Sequence, residues 1–462
     1  MTQGTVIEPM TTAALETQAA VLAAAPVERA ARLASLDVLR GFALLGILLA
    51  NVQNFAAPRG PVHDIPLDVV SQPQPHQALD LLVMTLEWVF VEGKMRSLFA
   101  ALFGAGTVLL LERIERRGGG ELAADIFHRR NLWLLLFGVL HGTLIWYGDI
   151  LLFYSSLALL ALYPLRHVTA TRLIVVGLAL ALTAGTFGRG NALGVWSALP
   201  AATLQEGAVE ALRSHREPTP QQQQAIAAAA VARDKALQAY AAEIAVARSG
   251  YLKSEPQNAR DEAKSISNFY YTGRMLDVLG ILIAGMGLYK TGFLSARLPA
   301  RTYIITALAG YAITISVVLV GLYHARRSGF SDAVTLVWMY APYGLQEIAG
   351  TLANASLLLL LVRRGVWMLL QGALAAVGRM ALSNYILTSL VCQFVFSWGP
   401  WKLFGTLEYY EQIYVVLCVW LANILGSVLW LKFCAFGPLE WLWRSLTYWQ
   451  RQPLICKAGA AL

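Results

Sequence analysis

The sequence predicts an all-α fold, a polytopic membrane helix bundle of about 10–11 transmembrane helices with an external helical insertion. Hydrophobic residues make up 57% of the 462-residue chain and charged residues only 14%. Apolar runs long enough to cross a bilayer, roughly 20 residues each, recur along the chain. Arginines cluster at the ends of these runs, where basic side chains set the orientation of membrane helices. These observations favour a protein that crosses the lipid bilayer many times.

The same composition argues against several other classes of protein. The net charge of +8 is typical of nucleic-acid binders, but the basic residues lie at span ends, so we expect no nucleic-acid partner. The cysteines Cys392, Cys418, Cys434 and Cys456 lack the paired spacing of a disulfide framework or a zinc site. The sequence contains no P-loop and no His-Glu-x-x-His motif, so we expect neither nucleotide hydrolysis nor a bound metal.

The N-terminal region divides into a tail and a membrane bundle. Residues 1–28 lack the basic start and apolar core of a signal peptide, which predicts a disordered cytosolic tail. The N-terminal transmembrane bundle is expected over residues 29–194, with its first span at 36–56. Because Arg29 and Arg32 precede this span, we expect the N-terminus in the cytoplasm.

Two interpretations fit residues 77–113. They form either two short spans broken near Gly93, or an interfacial amphipathic helix followed by one span. The arginine-rich stretch from Arg113 to Arg130 favours the second interpretation, because two spans would place it in an external loop. Three more spans are expected at residues 131–148, 150–165 and 172–188.

A change in composition marks residues 195–267, which are rich in Ala and Gln and too polar to span a bilayer. Their good helix formers predict an external helical insertion that serves as a spacer or cap. The C-terminal transmembrane bundle is expected over residues 268–440, and a cytosolic tail over 441–462. Its spans are predicted at residues 272–291, 302–323, 343–362, 380–397 and 411–434. This count places both termini in the cytoplasm.

The candidate catalytic residues are His141 and Asp149, in the stretch NLWLLLFGVLHGTLIWYGDILLFY. Ionisable groups at membrane depth are costly and are usually functional. The turn between the two spans is short, so His141 and Asp149 are expected to face one cavity, with Tyr154 one turn further on. A carboxylate that orients and charges a histidine equips it as a general base. The alternative is a histidine that only forms a structural hydrogen bond.

The first span offers Arg40 and Asn51 as candidate binding residues. Asn51 follows Arg40 by eleven residues, about 16 Å along a helix, so one helix presents a cation inside and an amide outside. Asp37 lies three residues before Arg40 on the same face. A simple ion pair between Asp37 and Arg40 at the membrane interface is therefore an equally good interpretation.

Four further polar residues are candidates for substrate or cofactor binding. Glu92 and Lys94 lie beside an apolar run, where they either form a snorkelling interfacial pair or turn inward, with Lys94 holding an anionic group. Arg379 and Asn384 lie at the cytoplasmic mouth of a later span. They either anchor a helix start in the headgroups or bind phosphate or pantetheine groups.

Four blocks of the sequence together resemble the YeiB-like family of bacterial inner-membrane proteins, also known as domain of unknown function 418. The blocks are LDVLRGFALLGILLANV, EGKMRSLFAALFGAG, GVLHGTLIWYGDILLFYS and VGRMALSNYILTSLV. They cover both halves of the membrane region but neither the insertion nor the N-terminal tail. The resemblance implies a multi-pass protein of the inner (cytoplasmic) membrane, and little chemistry, because members of the family are largely unassigned in function.

The first span is also similar to the opening helix of the transmembrane acyltransferase superfamily, which includes the heparan glucosaminide acetyltransferases. Arg40 and Asn51 carry this similarity. It implies an acyl group taken from cytosolic acyl-CoA and passed to an acceptor on the other side of the membrane. In the acetyltransferase branch the catalytic histidine comes from the loop after the first span. His63, and after it His76, are therefore reserve candidates behind His141.

The leading functional hypothesis is therefore a membrane-embedded acyltransferase. It would move an acyl group, most simply acetyl, from acyl-CoA to a hydroxyl or amine of a small molecule, sugar or lipid at the external face. A proton-coupled transporter or exporter of a small metabolite is the alternative, in which the buried pair carries protons. A non-catalytic membrane scaffold is the third hypothesis. The expected partners are the lipid bilayer and, as an alternative that the sequence leaves open, a second copy of the chain in a homodimer.

Overall fold

The computed structural model describes residues 34–58, 75–187 and 192–455. Within these ranges the regular elements are helices, and Cys434 and Ile455 form an isolated antiparallel bridge. The predicted tail at 1–28 and the reserve residue His63 lie outside the described residues. The N-terminal half contains the helices α1 (Ala34–Ala56), α2 (Gln77–Phe90), α3 (Lys94–Arg116), α4 (Gly120–Leu144), α5 (Leu151–Leu165), α6 (Ala170–Phe187), α7 (Ala192–Arg213), α8 (Pro220–Ala247) and α9 (Tyr251–Tyr271).

The C-terminal half contains the helices α10 (Arg274–Lys290), α11 (Ala300–Arg327), α12 (Tyr343–Arg364), α13 (Met368–Arg379), α14 (Ala381–Gln393), α15 (Tyr409–Phe433) and α16 (Pro438–Tyr448). A short helix at Asp332–Thr335 precedes α12, and α14 ends in a π-helical turn at Phe394–Trp398. The cytosolic tail predicted from residue 441 thus begins inside a helix.

Six candidate membrane spans occur in the described residues, judged by length and composition. They are Ala34–Ala56, Gln77–Arg116, Ala300–Arg327, Tyr343–Arg364, Ala381–Trp398 and Tyr409–Phe433. The outermost of them, α11 and α15, bury only 28% and 22% of their apolar windows inside the protein. Because such apolar faces are stable in lipid and not in water, the chain is an all-α multi-pass membrane protein.

The number of qualifying helices is smaller than the ten or eleven crossings predicted. A seventh span results if α9 and α10 count as one, although the chain bends by 71° between them. The apolar helices Leu151–Leu165 and Ala170–Gly185 are too short to qualify. The helix α4 is long enough, but it begins with a charged first half and becomes apolar only after Arg130.

The predicted break near Gly93 is present between α2 and α3, and Gly93 adopts a φ of 75°. The two helices nevertheless form one candidate span, Gln77–Arg116. The structure therefore supports a single crossing of this region over two short spans that turn back. Forty residues of helix measure about 60 Å, twice the hydrocarbon core, so part of this element lies beyond the membrane.

Small residues bring the spans into close contact. A Cβ atom at Gly41 of α1 would lie 1.9 Å from the carbonyl oxygen of Leu374 in α13. A Cβ atom at Gly104 of α3 would lie 2.0 Å from the carbonyl oxygen of Leu282 in α10. No larger residue fits at these crossings without moving a helix, as is usual for helix pairs packed in membranes.

The Ala/Gln-rich insertion forms the three helices α7, α8 and α9. Glu206 and Glu210 of α7 pair with His324 and Arg327 at the end of α11. The helix α8 has no buried residue, which agrees with its polar composition. The helix α9 packs on α4 and buries two side chains, so this part of the insertion belongs to the core of the protein.

Candidate functional site

The site is built around the C-terminal end of α4 and the short connection to α5. The side chain of Asn258, on α9, donates hydrogen bonds to the carbonyl oxygens of Gly142 (3.1 Å) and Thr143 (2.8 Å). It also accepts a hydrogen bond from the backbone N–H of Tyr147 (2.8 Å). The last carbonyl oxygens of a helix have no hydrogen-bond donor within that helix, and here Asn258 of α9 is the donor. The insertion thereby fixes the end of α4 that carries His141.

The structure places Asp149 against His141, as the sequence predicts. The Asp149 Oδ1 atom lies 2.9 Å from His141 Nδ1, and its Oδ2 atom accepts the backbone N–H of Leu152 at 2.6 Å. The second bond holds the carboxylate at the start of α5, much as a capping residue does. Both side chains are buried, with 1% of His141 and 2% of Asp149 exposed.

Ser389 of α14 completes a chain of three hydrogen-bonded side chains. Its Oγ atom lies 2.9 Å from His141 Nε2 and 3.3 Å from the carbonyl oxygen of Tyr385. With Nδ1–H donated to Asp149, the neutral imidazole accepts the Ser389 hydroxyl proton at Nε2. When the imidazole is protonated, Ser389 can accept from it and donate to Tyr385. Asp149, His141 and Ser389 are called the relay below.

Tyr385 connects the relay to the α4–α5 connection. Its ring centroid lies 4.8 Å from that of His141. The Tyr385 hydroxyl accepts the backbone N–H of Ile150 (3.2 Å) and donates to the carbonyl oxygen of Gly148 (3.4 Å). Because these two residues flank Asp149, α14 holds both partners of the histidine in place.

His141 lines an apolar cavity of about 490 Å³ between α4 and α14. The α4 wall is a stripe at helical spacing, and the α14 wall is a second one. The lining residues are Phe137, Leu140, His141, Leu144, Ile145, Leu382, Ile386 and Leu390, with Leu439 at one end and Tyr251 and Trp398 at the other. We call this space the apolar groove. It suits an alkyl chain or another apolar group.

A second cavity, of about 440 Å³, lies beneath the insertion and shares Leu144, Ile145, Tyr251 and Trp398 with the apolar groove. Its lining combines aromatic and polar side chains. The polar residues from the insertion are Glu243, Ser254, Glu255, Gln257, Asn258, Asp261 and Lys264. We call this space the polar cavity. An amphiphilic molecule could place its two ends in the two adjoining spaces.

Glu262 of α9 lies close to the relay. It is 1% exposed, and neither carboxylate oxygen has a hydrogen-bond partner among the described residues. Its carboxyl group packs on Gly142, the residue next to His141. The helix α9 is polar and is not one of the six candidate membrane spans. Burial raises the pKa of Glu262 to about 8, and the nearby charge of Asp149 acts in the same direction.

A second group of buried charges lies at the α2–α3 break. Arg96 pairs with Asp277 of α10 at 3.1 Å and with Glu347 of α12. Ser97 also donates a hydrogen bond to Glu347. We call Arg96, Asp277 and Glu347 the arginine cluster. It ties three spans together.

The structure places three sequence-predicted residues at this break and not on the relay. The Lys94 ammonium, 0% exposed, donates to the carbonyl oxygen of Trp88 (2.5 Å) and to Gln346 Oε1 (3.1 Å). Glu92 accepts a hydrogen bond from the hydroxyl of Tyr343. The Tyr154 hydroxyl donates to the carbonyl oxygen of Arg96 at 3.0 Å. Lys94 therefore points inward, as one of the two interpretations held.

The remaining predicted binding residues lie apart from the relay. Arg40 pairs with Asp37 at 2.8 Å, which is the ion pair that we weighed as an alternative. Asn51 is partly exposed and lines neither of the two cavities. Arg379 donates to the carbonyl oxygen of Ala435 (3.4 Å).

Asn384 is buried, and it donates to Ser427 Oγ (2.8 Å) and to the carbonyl oxygen of Val377 (3.2 Å). These bonds make it a helix-packing residue of α14. The reserve residue His76 is exposed and lies 3.0 Å from Glu408, so it is not near the relay partners either.

Ser389 and Glu262 are the functional candidates that sequence reasoning missed. Ser389 lies 248 residues from His141 in the chain, and no local pattern joins them. Glu262 lies in a stretch rich in charged residues, so its residue type alone does not distinguish it. Its signal was its position, because Ile266 and Phe269 follow it at helical spacing on the buried face of α9.

The helix bundle and its buried ionisable groups define a multi-pass all-α membrane protein with polar sites enclosed between its helices.

Residues 288–450 match a family described as "Protein of unknown function (DUF418)". The chain is 28% identical to the uncharacterized protein YeiB of Escherichia coli over 450 residues, which cover 92% of this chain and 98% of that protein. It is 27% identical to the uncharacterized protein YxaH of Bacillus subtilis, over 92% of this chain and 96% of that protein. The C-terminal part of the chain thus matches the DUF418 family, and nearly the whole chain is similar to YeiB-like proteins.

Proposed function

We propose that this protein is an acyltransferase of the bacterial inner membrane, with both termini in the cytoplasm. It takes an acyl group from cytosolic acyl-CoA and gives it to a hydroxyl or amine acceptor at the external face. The observation that supports this proposal best is the relay, in which one imidazole joins a carboxylate at Nδ1 to a hydroxyl at Nε2. That arrangement activates hydroxyl nucleophiles in acyl transfer on many unrelated folds.

The relay allows two routes, which an experiment can separate. In the direct route, His141 Nε2 removes a proton from the acceptor, whose oxygen or nitrogen bonds to the thioester carbonyl carbon. The C–S bond breaks, and the proton passes to the sulfur of CoA. In the stepwise route, the Ser389 oxygen attacks first and His141 passes its proton to the CoA sulfur. The acceptor then attacks the acyl-serine, and its proton returns through His141 to Ser389.

The two cavities support the proposal. The apolar groove has His141 in its α4 wall and suits the acyl chain, whereas the polar cavity suits an acceptor with several hydrogen-bonding groups. The two spaces adjoin, because Leu144, Ile145, Tyr251 and Trp398 line both of them. The insertion forms a wall of the polar cavity, so its role in this proposal is to bind the acceptor.

A basic cluster where the apolar half of α4 begins supports binding of the CoA phosphates. Arg130 lies within electrostatic range of Arg40 and Arg444, and its guanidinium lies 3.8 Å from the centroid of the Trp443 ring. His141 follows Arg130 by eleven residues, about 16 Å along the helix. Arginines at this spacing from the relay would hold phosphates in the cytoplasm while the thioester reaches inward.

The test uses purified protein in lipid nanodiscs with radiolabelled acetyl-CoA and, in parallel, a long-chain acyl-CoA. Wild type should release CoA or become labelled, and His141→Ala should lose this activity by a factor on the order of 10²–10⁴. His128→Ala is the matched control, because His128 lies on the same helix and bonds only to the Ala124 carbonyl oxygen in its own preceding turn.

Ser389→Ala separates the routes. If Ser389→Ala loses both protein labelling and CoA turnover, the reaction passes through an acyl-serine. If Ser389→Ala still turns over without labelling, the transfer is direct. Wild-type protein that neither turns over nor becomes labelled with either thioester contradicts the proposal.

One observation favours the second candidate function, a proton-coupled transporter. The α2–α3 element is interrupted inside an apolar span, and Glu92 and Lys94 flank the break at Gly93. Transporters often bind substrates and ions at interrupted membrane helices. Proteoliposomes carrying an inward pH gradient and a trapped pH dye test this function with a panel of amines, sugars and amino acids. Solute-dependent proton flux without CoA turnover supports transport.

A further inference from the structure

The buried face of α9 carries a carboxyl group at a position where the helical spacing of its apolar residues predicts an apolar side chain. Glu262, Ile266 and Phe269 follow one another at positions i, i+4 and i+7. Ile266 packs on the main hydrophobic core, and Phe269 stacks on Phe153 with ring centroids 4.1 Å apart. These contacts fix the rotation of α9. Glu262 is therefore held inward and cannot turn to solvent without moving the helix.

The surroundings of Glu262 give it no partner in the described structure. Both of its oxygens are buried and accept no hydrogen bond from the described residues. A Cβ atom at position 142 would lie 2.5 Å from Glu262 Oε1, so only glycine leaves room for the carboxyl group there. A buried carboxyl group without a donor is costly, and such groups are usually kept for a function.

The titratable groups around Glu262 belong to the relay and its neighbours. Asp149, on the α4–α5 connection, and Tyr385, on α14, lie within electrostatic range of it. His141 precedes the contacted glycine on α4. On α9 itself, Asp261 and Lys264 line the polar cavity. Glu262 thus lies within electrostatic range of Asp149 and packs next to His141, and its neighbours on α9, Asn258 and Asp261, line the polar cavity.

We propose that Glu262 exchanges the proton of the relay with water in the polar cavity. The neutral Glu262 carboxyl group releases its proton to the cavity, and the resulting carboxylate takes the proton that charges the His141–Asp149 pair, directly or through one water. The same step runs in reverse when the pair needs a proton. This inference goes beyond the proposed acyl transfer and does not depend on it, because the relay can gain or lose a proton without an acyl donor.

The position of the carboxyl group suits exchange near neutral pH. A carboxyl group that titrates near pH 8 in the folded protein holds its proton in the resting state and can give it up without a large change in free energy. The polar cavity also contains the exposed carboxylate of Glu243, which lies on the solvent side of this step.

Infrared difference spectroscopy of the full-length protein in nanodiscs tests the protonation directly. Wild type should show the carbonyl band of a neutral carboxyl group that disappears as the pH rises through about 8. Glu262→Gln should remove this band, and Glu262→Asp should retain one. Asp261→Asn is the matched control, because Asp261 is the adjacent residue and is held by Gln257 and Lys264. Asp149→Asn should lower the pH at which the band disappears, since the charge of Asp149 raises it.

The rate of proton exchange at His141 tests whether Glu262 exchanges protons with the relay. Nitrogen-15 NMR of the labelled imidazoles, with the His141 signal assigned from His141→Ala, gives the rate at which its N–H protons exchange with water. Glu262→Gln should slow this exchange by about a hundredfold and leave His128 on the same helix unchanged. Unchanged exchange at His141 in Glu262→Gln, or a carbonyl band that survives this substitution, would overturn the proposal. These measurements use no acyl-CoA, so their failure is distinct from failure of the acyltransferase assay.

Discussion

The relay and the arginine cluster are both buried groups of charged and polar residues, yet their surroundings differ. Arg96 is a permanent cation with two carboxylates as partners, and these three residues line neither the apolar groove nor the polar cavity. His141 is a titratable base, it lines the apolar groove, and an unpartnered carboxyl group lies beside it. Only the second arrangement can change its charge in place.

This difference assigns the arginine cluster a structural role and the relay a chemical one. The arginine cluster connects α3, α10 and α12, so its removal should affect folding first. The relay connects α4 and α14 through neutral or switchable groups, so its removal should affect protons and bound molecules more than folding. Substitutions with matched controls can test each half of this comparison.

The largest effect is expected from Arg96→Met. It leaves Asp277 and Glu347 buried without their cation, which should lower the free energy of unfolding by about 3–5 kcal/mol. Arg116→Met is the control, because Arg116 lies on the same helix in an exposed pair with Glu112 and should cost about 0.5 kcal/mol or less. Thermal unfolding in detergent measures both. Equal stability of the two variants would remove the structural role assigned to the arginine cluster.

Gly142→Ala should have the next largest effect, on the order of 1–3 kcal/mol, because its methyl group overlaps the Glu262 carboxyl group. The double variant with Glu262→Ala should recover much of the loss, which shows that the two residues touch. Gly106→Ala is the control, since a Cβ atom there meets nothing within 4 Å and alanine favours a helix. A loss in Gly142→Ala that the double variant does not recover would place Glu262 elsewhere.

Local sequence spacing was sufficient to predict the helices and the closest contact of the relay. The first span, expected at 36–56, forms Ala34–Ala56, and the last, expected at 411–434, forms Tyr409–Phe433. His141 and Asp149 meet because eight residues and a short turn join them. Apolar runs and short connections are local properties, and the chain displays them directly.

Contacts between distant segments could not be predicted in this way. Asn384 and Lys94 were candidates for substrate binding, and the structure gives the first a hydrogen bond to Ser427 and the second hydrogen bonds to Trp88 and Gln346. A polar residue in a span shows that a partner exists without showing which helix supplies it. The helix α4 also starts at Gly120, earlier than the predicted span, because the end of an apolar run is not the end of a helix.

A smaller and pH-dependent effect is expected from Glu262→Gln. The folded protein holds the Glu262 proton up to a pKa of about 8, whereas the unfolded carboxyl group loses it near 4.5. Between these pH values folding takes up a proton, so the wild type loses stability as the pH rises. The Gln variant lacks this loss and should become more stable than the wild type by roughly 1–2 kcal/mol near pH 8. Parallel melting curves for the two proteins across this pH range would contradict the assignment.

The smallest effect on stability, about 1 kcal/mol, is expected from Ser389→Ala, which removes one hydrogen bond to His141 Nε2. Thr388→Ala is its neighbour on α14 and removes a bond of the same length, 2.9 Å, to Asn423. The two variants should melt alike because each loses one side-chain hydrogen bond. They should differ in chemistry, since only Ser389→Ala should change acyl labelling or the protonation of His141 by NMR. If Thr388→Ala changes those signals as much, the hydroxyl of Ser389 serves packing alone, and the relay becomes another structural cluster like that of Arg96.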